Sequence, residues 1–109
     1  MDDCVFCGIA GKTVPAEIVY EDDAVVAFKD TTPAAPVHLL VIPKQHAPAV
    51  DQAGPEQAEL FGRTLLAAAT VGKQETNGDF SLQLNAGRHV EVSHLHVHVK
   101  GDRKGGDDA

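Results

Sequence analysis

An α+β fold, with an antiparallel sheet of about five strands and one long helix laid across it, is predicted by two observations. The first is periodicity: short runs of two-residue alternation lie on either side of one long stretch with apolar residues at helical spacing. The second is order. Strand-like runs come first, a single helix follows, and strand-like runs return, which favours antiparallel pairing over a βαβ winding. With 109 residues and 43% hydrophobic content the chain can form one compact core. The expectation is a single domain over residues 1–100, with a polar, disordered tail at 101–109.

The elements are justified in turn. Ala16 to Tyr20 and Ala24 to Lys29 are β-rich runs flanking the acidic turn Glu21-Asp22-Asp23, which reads as a hairpin. Phe28 and Asp30 close its second strand, and Pro33 and Pro36 then hold the next loop out of helix and ladder. On residue type alone, Asp30 is equally a turn-starting aspartate. Val37 to Ile42 is almost wholly apolar, as a central strand buried on both faces requires, yet it carries His38, whose ordinary reading is a hydrogen-bonded core histidine.

Pro55-Glu56-Gln57 opens the helix, because proline suits the first turn and a carboxylate suits the positive end of the dipole. Phe61, Leu65, Ala68 and Gly72, widened by Leu66 and Ala69, form the stripe expected to face the sheet, and Asn77-Gly78 ends the helix after about Glu75. Phe80 to Asn85 alternates, placing Phe80, Leu82 and Leu84 inward and Ser81, Gln83 and Asn85 outward. The last strand is expected over His94-Leu95-His96-Val97-His98-Val99, where three of the six histidines alternate with aliphatics. Neighbouring imidazoles on one strand face stand roughly 6.6 Å apart, close enough to act on one substrate group or one ion. A solvent-facing strand and a His-x-His metal site are the competing readings.

The net charge of −7 argues against a sequence-independent nucleic-acid binder, which needs a broad basic surface. The chain opens on Asp2-Asp3 after Met1, and its longest apolar run is short, so a cytoplasmic protein without a membrane segment is expected. Cys4 and Cys7 form a Cys-x-x-Cys. That spacing serves a metal or redox exchange; no strand precedes it as a thioredoxin-like motif demands, so half a metal site is favoured. His46, just past the Val37 to Ile42 strand, is a candidate further ligand.

Taken together, Cys4-Val5-Phe6-Cys7-Gly8-Ile9, Ile18 to Asp22, Ala35 to His46, Asn85 and the His94-Leu95-His96-Val97-His98 run resemble the histidine triad (HIT) superfamily, in particular its nucleotide-binding phosphoramidase-like branch. The resemblance implies hydrolysis of purine nucleoside phosphoramidates, or of related AMP or GMP conjugates, through a covalent nucleotidyl-histidine on His96. It places His38 and His98 beside the phosphate, Phe28 at the base, Asp30 at the ribose, and Asn85 and Ser93 on the phosphate side. In zinc-bearing members the corresponding Cys4, Cys7, His46 and His94 would form a closed structural Cys₂His₂ site, with no catalytic metal. A homodimer with a sheet continuous across it is also implied. A dinucleoside polyphosphate hydrolase, a nucleotide-binding module with little catalysis, and a metal held by the triad itself are the alternatives.

Three positions depart from the family pattern. Val90 stands where a glutamine is usual, the loop after Asn85 is shorter, and Lys100 occupies a commonly apolar position. Arg88 or His89 is available to replace the missing contact, and Ser93 or Glu91 to assist the leaving group.

Overall fold

A computed structural model describes residues 4–104. Five strands form one antiparallel sheet in the order β1-β2-β3-β5-β4: β1 Ile18–Glu21, β2 Val25–Lys29, β3 Val37–Pro43, β4 Phe80–Gln83 and β5 Val97–Gly101. Two helices accompany it, α1 Val5–Ala10 and α2 Ala58–Glu75. The α+β class and the single long helix are as the sequence predicts.

The β1–β2 hairpin forms because Asp22 completes its own turn. Its Oδ1 accepts from the backbone N–H of Ala24 and Val25, and its Oδ2 accepts from the Tyr20 hydroxyl at 2.8 Å. β3 lies between β2 and β5 and is buried along nearly its whole length, which explains its unbroken apolar run.

Alternation along β2, β3 and β5 gives the sheet two unlike faces. Ala27, Leu39, Val41, Val97 and Val99 pack with Ala68 and Val71 of α2 on one face. Val26, Phe28, Leu40 and Ile42 pack with Phe6 and Ile9 of α1 on the other. The histidines share this second face, since Leu40 stands opposite His98 and Phe28 opposite Leu40. Completely burying a large apolar side chain stabilises by about 1.5–3 kcal/mol, so Phe6 and Ile9, rather than the exposed Lys12–Glu21 ion pair just beyond the helix, hold α1 in place.

Four expectations need correction. The triad strand begins at Val97, not His94. Continuing the β3–β5 register would set Leu95 against Pro43, which has no N–H for the ladder; Leu95 N–H instead donates to Ala47 O at 2.8 Å. Leu65 and Leu66 do not face the sheet, being 42% and 72% exposed, while Thr64, Ala68, Val71 and Gly72 are buried. The small residues lie inward because α2 closes tightly on β4, where a Cβ at Gly72 would strike the Phe80 ring. Leu84 lies past the end of β4 and is exposed. Finally, the chain stays in the fold beyond residue 100: Gly101 is the last residue of β5, and Asp102 exchanges backbone hydrogen bonds with Asn77 and Asp79. The remainder of the expected tail, residues 105–109, lies outside the described residues.

Candidate active site and metal cluster

The second sheet face carries a cavity of about 540 Å³ with Phe6, Phe28, Leu40, His96 and His98 in its walls. Phe28 and Leu40 are there because they stand in one cross-strand row with His98, and Phe6 is delivered by α1. The Phe6 ring meets Phe28 edge-on at 5.7 Å, and His96 at 5.0 Å between centroids. A smaller crevice beside the cavity is lined by Leu84, Asn85, Leu95 and His96.

The hydrogen bonds fix the histidine tautomers. A carbonyl only accepts, so Nδ1 of His96, 2.8 Å from the His94 carbonyl oxygen, carries the proton and donates. Nε2 of His96 therefore keeps its lone pair. His38 Nδ1 accepts from the Ala34 N–H at 2.9 Å, which puts the His38 proton on Nε2. That N–H faces His98 Nδ1 at 3.0 Å and Asp30 Oδ2 at 3.4 Å. In neutral His98 the proton is consequently on Nε2. Asn85 Nδ2 lies 3.4 Å from that nitrogen, so two N–H groups face one another.

Burial pushes the pKa of His38 down, opposed by the nearby Asp30 carboxylate and reinforced by Lys100. Burial also lowers that of His98, with His96, His38 and Lys100 adding to the effect. Burial thus favours the neutral form of both rings.

A second cluster lies at the other end of the triad. Sγ of Cys4 is 3.3 Å and Sγ of Cys7 3.5 Å from Nδ1 of His94, and Cys7 Sγ is 3.0 Å from Nδ1 of His46. All four ligand atoms lie within 4.8 Å of one another. A tetrahedral ion bound at about 2.3 Å to sulfur and 2.0 Å to nitrogen separates such atoms by about 3.5 Å, so the donor set fits. The His94 ring is already arranged for it: Nε2 lies 3.0 Å from the Pro43 carbonyl and must donate to it, leaving the Nδ1 lone pair aimed at the thiols. Cys4 also accepts from the Cys7 N–H as the cap of α1, a helix with no periodic signal in its residues.

The structure therefore brings together Phe28, Asp30, His96 and His98 around one cavity, with Asn85 in the adjoining crevice and His38 behind His98, in contact with its Nδ1, and Cys4, Cys7, His46 and His94 around one point. Ser93 is exposed and does not line the cavity, whereas Glu91 does. The three triad imidazoles do not converge on a single centre, because His94 turns to the thiols, His96 to a carbonyl and His98 to His38. Sequence reasoning gave no site role to Phe6 or Leu40. Phe6 has no periodic signal, and its only cue is its place inside the Cys-x-x-Cys.

The family described as "Scavenger mRNA decapping enzyme C-term binding" matches residues 3–107. The chain is 46% identical over 105 residues to Protein HitA of Neisseria gonorrhoeae, covering 93% of this chain and 97% of that protein. It is 37% identical over 106 residues to the purine nucleoside phosphoramidase of Escherichia coli, covering 94% and 89%. The chain belongs to the histidine triad family. Among solved HIT structures, a family hydrolase from Clostridium thermocellum superposes with a TM-score of 0.85 at 36% identity over 99% of this chain and 97% of the other. A histidine triad protein from Clostridium difficile gives 0.86 at 32% over 100% and 98%. No described helix of this HIT chain is long and apolar enough to cross a membrane.

The lowered histidine pKa values predict the sign of the acid response. Below about 6.5 the unfolded chain takes up protons that buried His38 and His98 refuse, so folding stability falls as pH drops from there toward the folded-state values. Urea midpoints measured between pH 7.5 and 5.5 should fall, and the His38→Gln variant should show a flatter dependence; equal slopes would contradict the assignment.

Proposed function

We propose that this hydrolase cleaves phosphoramidates of purine nucleotides at the α-phosphate, with His96 as nucleophile. The observation that carries the proposal is the His96 ring itself: Nδ1 is committed to the His94 carbonyl, so Nε2 is a neutral lone-pair nitrogen, and the ring stands in the wall of a cavity large enough for a nucleoside. The Escherichia coli relative named a purine nucleoside phosphoramidase supports the substrate class.

In the first step the Nε2 lone pair forms a bond to phosphorus and the bond from phosphorus to the leaving amine breaks. The amine nitrogen keeps that electron pair and takes a proton from water. In the second step a water oxygen bonds to phosphorus, the bond to Nε2 breaks with its electrons returning to the ring, and the water proton goes to solvent. The products are the nucleoside monophosphate and the amine. The N–H groups of His98 and Asn85 support this chemistry as donors to the phosphoryl oxygens. Phe28, Phe6 and Leu40 supply an apolar wall for the base, and half-buried Asp30, braced by Thr32, suits the ribose hydroxyls.

Charge favours an amine over a polyphosphate leaving group. Glu17, Asp30 and Glu91 line the cavity against the single ammonium of Lys29, which is itself paired with Glu17 at 2.9 Å. Cys4, Cys7, His46 and His94 are proposed to hold a structural zinc ion, which when bound would tie the N-terminal helix to the triad. A homodimer is supported by the exposed Leu65 and Leu66 and by the edge position of β4.

Two outcomes follow. Wild type should release AMP from adenosine 5′-phosphoramidate, and His96→Ala should lose at least about 10³-fold in turnover while keeping its thermal midpoint; substantial turnover by a folded variant would refute the nucleophile. Purified protein should contain one zinc per chain, and strong chelation should lower its thermal midpoint; a metal-free protein indifferent to chelator and to added zinc would refute the metal site.

A further inference from the structure

We infer that Lys100 and Gln83 are positioning residues, turning the Asn85 amide so that its N–H groups, and not its carbonyl, face the phosphate site beside His98. The inference rests on the functional reading above, because a phosphoryl oxygen is what the turned amide would meet.

A side-chain amide has two orientations of nearly equal shape, and only its partners decide between them. Here the decision starts at Lys100, which can only donate. Its Nζ lies 3.1 Å from Oε1 of Gln83, so the Gln83 oxygen faces the lysine and its nitrogen faces away. Gln83 Nε2 then donates to Oδ1 of Asn85 at 3.0 Å, and Asn85 Nδ2 is left facing Nε2 of His98 at 3.4 Å.

Strand register builds the chain. Gln83 stands opposite His98 and Ser81 opposite Lys100, which makes Lys100 and Gln83 a diagonal cross-strand pair on the histidine face. An apolar side chain in place of Lys100 would leave Gln83, and through it Asn85, free to turn either way.

A second directed chain approaches from the opposite side. The Ala34 N–H donates to His38 Nδ1 and His38 Nε2–H to His98 Nδ1, so His98 also presents an N–H at Nε2. The two chains meet donor against donor, at a separation longer than a good hydrogen bond. One acceptor able to take two N–H bonds would satisfy both. A phosphoryl oxygen is such an acceptor, and His96 lines the crevice that Asn85 also lines.

The test is calorimetric binding of AMP and of adenosine to the whole protein as wild type, Lys100→Glu, Lys100→Arg and Gln83→Met, with thermal melts to confirm folding. Glutamate only accepts, so Lys100→Glu should reverse the chain, present the Asn85 oxygen to the site and weaken AMP binding about tenfold. Adenosine binding should stay unchanged. Gln83→Met keeps the lysine charge but cuts the chain, and should weaken AMP alone by several-fold; Lys100→Arg should behave as wild type. If Gln83→Met binds AMP as tightly as wild type, the lysine acts only through its charge and the relay is overturned. Equal loss in Lys100→Arg and Lys100→Glu would overturn it as well. A wild type that binds AMP no better than adenosine is a separate failure, because it removes the phosphate site itself and the relay with it.

Discussion

The hydrogen bond from His96 Nδ1 to the carbonyl oxygen of His94, at 2.8 Å, is the constraint on which the chemistry of this fold depends. An imidazole has one proton to place when neutral, and a carbonyl can be satisfied only by receiving it. The nitrogen that keeps its lone pair is therefore chosen by the backbone two residues earlier. That backbone must be held still. The His94 ring is locked between the Pro43 carbonyl and the two thiols, the backbone N–H of His94 donates to Val92 O, and that of Leu95 donates to Ala47 O. The candidate metal cluster and the candidate nucleophile are two ends of one short segment, and departure from the β-ladder before Val97 is what lets that segment serve both.

The sheet divides its labour by face. One face is an aliphatic surface sealed by α2, where small inward residues allow the helix to approach β4 closely. The other is closed only partly, by a six-residue helix, so it retains a cavity beside the imidazoles. Burial of His38 and His98 on this face lowers their basicity, while Phe6 packs edge-on against His96.

Much of this was legible in the sequence, for reasons that can be named. Period-two alternation places Phe80 and Leu82 on the helix side and His98 on the other, and Asn77-Gly78 marks the turn that follows the extended Thr76 cap of the helix, where Gly78 adopts φ 105°. The family pattern named Phe28, Asp30, His96 and His98, which line the cavity, and Cys4, Cys7, His46 and His94, which cluster, but also Ser93, which does not line the cavity, and it gave no role to Phe6 or Leu40. What could not be read was set by contacts distant in sequence. Alternation continues through His94, but Pro43 on the neighbouring strand ends the pairing at Val97. Helical spacing could not say that Thr64 rather than Leu65 lies inward, since that depends on how closely α2 approaches the sheet. Nor does residue type reveal which way Asn85 points, which follows from Gln83 and Lys100 across two strands.

The central claim is that His96 becomes covalently nucleotidylated during turnover. The most direct measurement is rapid acid-free quenching of the protein with a slowly hydrolysed adenosine phosphoramidate, followed by intact mass and peptide mapping. A mass increase of one adenylyl group is expected on the peptide containing His96, stable in alkali and lost in acid as a phosphorus–nitrogen bond to imidazole should be. Continued AMP release with no adduct at any time, or an adduct mapped to another residue, would contradict that claim.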